Sequence, residues 1–138
     1  MRFSLRFERF CHASSKTVYE LLADPGRWPE WLAGARTATW EEQGEVRRIV
    51  VSGLTMRERI LVADHPHHHA YTIMSGIPVR DHRADVRIMQ QPDGCVITWE
   101  AAFSSRIPFT GPLVWLMLRA SMPAMVDALV RGAEAQQV

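Results

Sequence analysis

Apolar and polar residues alternate from the start of the chain. Phe3, Leu5 and Phe7 are interleaved with Arg2, Ser4, Arg6 and Glu8, the period-two pattern of a half-buried strand. The pattern ends near His12-Ala13. Ser14 or Ser15 can then cap a short helix with Val18, Leu21 and Leu22 on its apolar stripe and Asp24-Pro25-Gly26 as its stop. Trp28-Pro29-Glu30-Trp31-Leu32 predicts a second short helix, since proline suits a first helical turn. Six further strands follow, at 36–42, 46–52, 55–63, 69–75, 80–90 and 95–103, each closed by a turn signal such as Gln43-Gly44, Gly53 or Pro92-Asp93-Gly94. Their even spacing and short connections predict an antiparallel meander.

The rest of the chain reads as one long helix from about Pro112 to Ala135, with Thr110 as its cap and a kink expected at Pro123. Its first half, Leu113 to Leu118, is apolar nearly all round, which predicts enclosure by the sheet and partners. The fold class is therefore α+β: a curved antiparallel sheet of six to seven strands around one C-terminal helix, with two short helices after the first strand. A curved sheet gripping a single helix leaves space at its centre, and that space is the functional expectation.

Composition narrows the partners. The 138 residues suggest one domain spanning 1–138, large enough for a core without metal or disulfide staples. Sixteen basic residues, fifteen of them Arg, balance fifteen acidic ones to a net charge of +1. That argues against broad nucleic-acid binding, which needs a clustered positive field. No signal-peptide core and no bilayer-length apolar run stand out, so a cytoplasmic protein without an integral membrane segment is expected, as monomer or homodimer. Cys11 and Cys95 show no metal spacing, although pairing of the first and last strands would bring them close. The run His65-Pro66-His67-His68-His69 reads as a solvated hairpin, because neighbours on a strand point to opposite faces. No metal and no cofactor is expected.

Alternation assigns the faces of the strands. His82 shares a side with Ala84, Val86 and Ile88; Trp99 with Ile97, Ala101 and Phe103; Tyr71 with Ile73; and Glu58 with Met56, Ile60 and Val62. A carboxylate on an apolar face needs a partner. A three-residue turn at Ser52-Gly53-Leu54 would supply one by setting Arg48 opposite Glu58. A two-residue turn would set Arg48 against Arg59 instead, and electrostatics favours the first. The expected cavity is lined by Arg48, Glu58, Tyr71, His82 and Trp99. Its expected walls are Val50, Met56, Ile60, Ile73, Ile97 and Phe103, with Leu113, Met117 and Met125 of the long helix and with Trp28 and Trp31 at the mouth. Apolar walls with a few converging polar groups are the usual form of a small-molecule pocket.

The same positions carry a family resemblance. Ala13, Val18-Tyr19, Leu22, Asp24, Trp28 and Trp31 are followed in order by Gly44-Glu45-Val46-Arg47-Arg48, Gly53, Glu58-Arg59-Ile60, Asp64, Tyr71-Thr72-Ile73, Pro78-Val79, Gly94, Trp99 and Phe103. With these, nearly the whole chain resembles the START/Bet v 1-like superfamily, in its polyketide cyclase/dehydrase and lipid-transport branch. The resemblance implies a helix-grip fold and a hydrophobic small-molecule ligand such as a lipid, polyketide or quinone. It does not fix a reaction, because the superfamily holds carriers and enzymes on one scaffold. The alternative it implies is a polyketide aromatase/cyclase with His82 or Glu58 as general base. The chain departs from the pattern in one place, with His82 where related sequences often carry Tyr. A weaker third reading is an interaction surface around Trp28, Trp31 and Trp40.

Overall fold

The computed structural model describes residues 1–136. Its order is β1 (Arg2–Cys11), α1 (Ser15–Ala23), a 3-10 turn (Pro25–Arg27), α2 (Trp28–Trp31), β2 (Ala35–Glu41), β3 (Val46–Val51), β4 (Leu54–Asp64), β5 (His68–Ser75), β6 (Val79–Gln91), β7 (Gly94–Ser105) and α3 (Gly111–Ala135). All seven strands form one antiparallel sheet in the order β1-β7-β6-β5-β4-β3-β2. The meander therefore runs from β2 to β7, and β1 returns to close on β7. This is the helix-grip fold.

Local chemistry sets the element ends. The Ser14 hydroxyl accepts the Thr17 amide at 3.2 Å and caps α1. Thr110 takes the cap position of α3, but its hydroxyl donates back to the Ile107 carbonyl at 2.6 Å and leaves the helix N-terminus without a side-chain cap. Pro123 lies inside α3. Gly132 lets α3 settle on α2, since a Cβ there would stand 2.5 Å from the Trp31 Cβ.

The stripe Val114, Met122, Val126, Leu129 and Ala133 of α3 is buried, chiefly against β1 and α1. By length and apolarity alone α3 is the one described helix that could cross a bilayer, yet this stripe places it as a core helix. The expected enclosure of its first half does not occur. Leu113, Leu116 and Met117 are exposed, and Leu113 lies outside the cavity altogether. With apolar side chains on every side, only the face nearest the sheet can be covered. The tryptophan surface is also absent as a patch: Trp28 and Trp31 are buried and only Trp40 is exposed.

Cys11 and Cys95 sit opposite each other in the β1–β7 ladder, both buried as free thiols. The histidine run divides. His65 and His67 are exposed, His68 bonds Asp85 at 2.6 Å, and His69 is fully buried, which corrects the solvated reading for that residue. Among the described residues no His, Cys, Asp and Glu side chains group as metal ligands.

Candidate functional site

A cavity of about 260 Å³ lies between the concave sheet and α3. Strands β4 to β7 bring Met56, Glu58, Tyr71, Ile73, His82 and Trp99 to its wall, and α3 adds Met117, Leu118, Ser121, Met122 and Met125. The helical spacing of those five residues marks one face, of which sequence reasoning found only Met117 and Met125. Trp28 also lines the cavity, but from deep inside rather than at the mouth. The exposed lining residues are Leu54, Met117 and Ser121, and they mark the mouth.

Several expected residues lie elsewhere. Phe103 stacks on Phe3 with ring centroids 5.4 Å apart, and Ile97 is fully buried; both face the core beyond the cavity's reach. Ile60 is half-buried opposite Tyr71, past a bulge in β4, and does not line the cavity. Trp31 packs against Trp28, and its indole donates to the Leu21 carbonyl at 3.0 Å. Period-two patterning gave the face of these strand residues but not their depth along the sheet.

The largest correction is at β3. A two-residue Ser52-Gly53 turn joins β3 to β4, with φ of 51° and 80°. Positive φ at both central residues is the hairpin geometry that matches strand twist. It shifts the register by one residue, so Arg47 faces Glu58 and Arg48 faces Arg57. Arg48 is exposed and Val50 shares its outward side, while Arg47, Ile49 and Val51 turn inward. The arginine pair is tolerated because both side chains reach water and Arg57 bonds Glu41 at 3.0 Å. Turn geometry outweighs a screened repulsion.

Arg47 is fully buried. Its Nε donates to Glu58 Oε1 at 2.7 Å and its Nη1 to the Leu22 carbonyl at 3.0 Å. The guanidinium lies 4.8 Å from the Trp28 ring centroid and 5.1 Å from that of Tyr71, a cation–π sandwich in a desolvated place. Arg47 Nη2, however, has no hydrogen-bond partner, and neither has the buried Trp99 indole Nε1. Tyr71 meets Trp99 edge-on with ring centroids 6.4 Å apart; its hydroxyl is the indole's polar neighbour, but the two do not reach hydrogen-bond geometry. Burial, then the Glu58 charge, pushes the Tyr71 phenol up, so it stays protonated.

His82 occupies a break in the sheet. The β5–β6 ladder stops at Tyr71–Ala84, and a bulge with Asp81 at φ 50° swings β6 away. His82 Nδ1 accepts the Ile73 amide at 3.0 Å in place of the missing ladder bond. The neutral ring must then carry its proton on Nε2. Burial, with the Arg2 charge, holds His82 down at about 4. It is thus a neutral hydrogen-bond donor at pH 7, and the base role expected for it conflicts with its own hydrogen bond. Behind it, His69 shares the inward side of β5 with Tyr71 and Ile73, a position the same alternation could have revealed. Both its ring nitrogens lack partners, and burial, then Arg47, holds it down at about 3.

A family model described as "Polyketide cyclase / dehydrase and lipid transport" matches residues 2–136. The chain belongs to this family. Solved structures share the fold. A START superfamily protein from Mycobacterium smegmatis has a TM-score of 0.76 at 16% identity, covering 98% of each chain. Norcoclaurine synthase from Thalictrum flavum, a point mutant in complex with a transition-state analogue, gives 0.76 at 17% identity over 100% of this chain and 98% of that one. The di-domain ARO/CYC StfQ from the steffimycin biosynthetic pathway gives 0.78 at 15% identity, with 98% of this chain matching 50% of that one. At such identities the likeness shows the fold alone. A comparison with curated proteins gives no match.

Proposed function

We propose that this cavity holds a neutral hydrophobic molecule with an acceptor oxygen, such as a ketone, quinone or enone, at its inner end. The observation that carries this reading is the Trp99 indole N–H, buried in the cavity wall without a partner. A buried donor left unsatisfied costs about 1–3 kcal/mol, which a bound oxygen recovers. The Nε2–H of His82 is a second donor on the same wall. Affinity comes from apolar burial at roughly 25 cal/mol per Å², and the donors orient one end.

Charge argues for neutrality. Glu58 and Arg47 cancel, both buried histidines stay uncharged at pH 7, and Arg47 is walled off behind Trp28 and Tyr71. A carboxylate entering there would lose its hydration without gaining a free cation. Size argues for one or two rings or a short chain, since 260 Å³ is slightly under the usual range of about 300–1,000 Å³ for ligand pockets. The four lining methionines (Met56, Met117, Met122 and Met125) allow some adaptation.

Calorimetric titration with acetylnaphthalene, ethylnaphthalene and naphthoate tests the reading. The ketone is expected to bind best, the hydrocarbon more weakly, and the carboxylate weakest. Preference for naphthoate, or binding of none, overturns it. The Glu58 carboxylate on the cavity wall supports a second reading, an enzyme acting on an enolisable ketone. Glu58 would then remove the α-proton while Trp99 and His82 stabilise the enolate oxygen as donors. Exchange of the acetylnaphthalene methyl protons in heavy water, abolished by Glu58→Gln, distinguishes turnover from binding.

A further inference from the structure

Charge and apolarity are distributed unusually at one end of the molecule. Phe109 is 100% exposed, Leu113 70%, Leu116 56% and Ile107 50%, all on α3's first turns or the loop that feeds it. From residue 101 to residue 126 the chain has two charged side chains, Arg106 and Arg119, and no acid. Among the described residues, eight arginines pair with carboxylates. The other seven do not: Arg36, Arg48 and Arg131 lie elsewhere, on β2, β3 and the end of α3, and Arg2, Arg80, Arg106 and Arg119 are all exposed here. Arg80 and Arg106 border one surface groove with Phe109, Met1 and Pro112, while Arg2 and Arg80 flank Ser104 on neighbouring strands. Arg119 lies 5.3 Å from the Trp115 ring centroid, two turns along α3.

We propose that this end, with Ile107, Phe109, Leu113 and Leu116 as its apolar centre and Arg2, Arg80, Arg106 and Arg119 around it, docks on an anionic lipid bilayer. The apolar side chains enter the acyl boundary and the guanidiniums meet lipid phosphates, the arrangement of interfacial helices. Charge separates this occupant from a second copy of the chain. A two-fold interface sets each patch against itself, which would bring unpaired arginines together with no carboxylate among residues 101–126 to meet them. The position supplies a use. Met117 belongs both to the exposed side of α3 and to the cavity mouth, so an apolar ligand can pass between bilayer and cavity without crossing water.

Sedimentation of the full chain with vesicles of phosphatidylcholine alone, and of phosphatidylcholine mixed with phosphatidylglycerol, tests the proposal. Binding is expected to the mixed vesicles and to weaken with added salt. Leu113→Glu/Leu116→Glu should abolish it. Each of Arg106→Ala and Arg119→Ala should weaken it roughly fivefold, the equivalent of about 1 kcal/mol per arginine at such a surface. These side chains are exposed, so every variant should keep the wild-type melting transition and the wild-type affinity for acetylnaphthalene in the cavity. That second readout separates failure at the surface from failure of the ligand reading. Absence of binding to either vesicle overturns the proposal, as does binding that survives Leu113→Glu/Leu116→Glu. A stable dimer by light scattering that the same variant dissolves also overturns it and assigns the surface to a second copy.

Discussion

The inner end of the fold, behind the cavity, and the outer end, at the start of α3, reverse the usual distribution of residues. At the inner end an arginine, a glutamate, two histidines and a tyrosine are buried beside tryptophans. At the outer end phenylalanine, leucine and isoleucine stand in water among unpaired arginines. Soluble proteins ordinarily bury the second set and expose the first. The difference teaches that the two ends answer to different demands. Buried polarity is tolerated where each charge is paired, and it leaves an unpartnered donor in the cavity wall. Exposed apolarity persists where residues were not needed to close the core.

The inner end can be broken most severely at its ion pair. Arg47→Met strands a buried carboxylate, and a loss of about 3–5 kcal/mol is expected in urea unfolding. Arg47→Met/Glu58→Leu should recover most of that loss; a double variant as unstable as the single would show that the pair is not the source. Lowering the pH is next in size. His82 and His69 hold folded values of about 4 and about 3 against 6.5 unfolded. The unfolded chain therefore takes up protons first, so stability is full above pH 6.5 and falls as pH drops toward 4. Between pH 7 and pH 5 the expected loss is about 2 kcal/mol per histidine, and His82→Asn should flatten its share.

Trp99→Phe probes the donor itself. Its expected effect is roughly fivefold weaker binding of acetylnaphthalene with little change for ethylnaphthalene, the worth of one neutral hydrogen bond. Equal losses for both ligands would mean that Trp99 acts by packing alone. The smallest effect belongs to the outer end. Leu113→Glu should change unfolding free energy by less than about 0.5 kcal/mol, as for any solvated position. A larger change would mean that Leu113 belongs to the core after all.

Most elements were legible because their patterns are unambiguous: period-two strands punctuated by turn residues, and a long apolar helix after Pro108. The site was legible where one parity is clearly apolar, as in β6 and β7, which placed His82 and Trp99. It was illegible in β3, where Val46-Arg48-Val50 and Arg47-Ile49-Val51 are equally plausible inner faces. There a one-residue change of turn length exchanges every side chain between faces. Depth along a strand carries no periodic signal, so Phe103 and Ile97 could not be separated from Trp99. The exposure of Leu113 and Leu116 was hidden for the opposite reason, since a helix apolar all round does not declare which side is covered.

On the proposed function, the sealed Trp99 indole donor receives the oxygen of a neutral guest. The indole N–H resonance of Trp99 in isotope-labelled protein, followed while acetylnaphthalene is added, tests it directly. A downfield shift of that resonance to saturation, with those of Trp40 and Trp115 unmoved, is the predicted result. A Trp99 resonance that stays in place at saturating ketone would contradict the account.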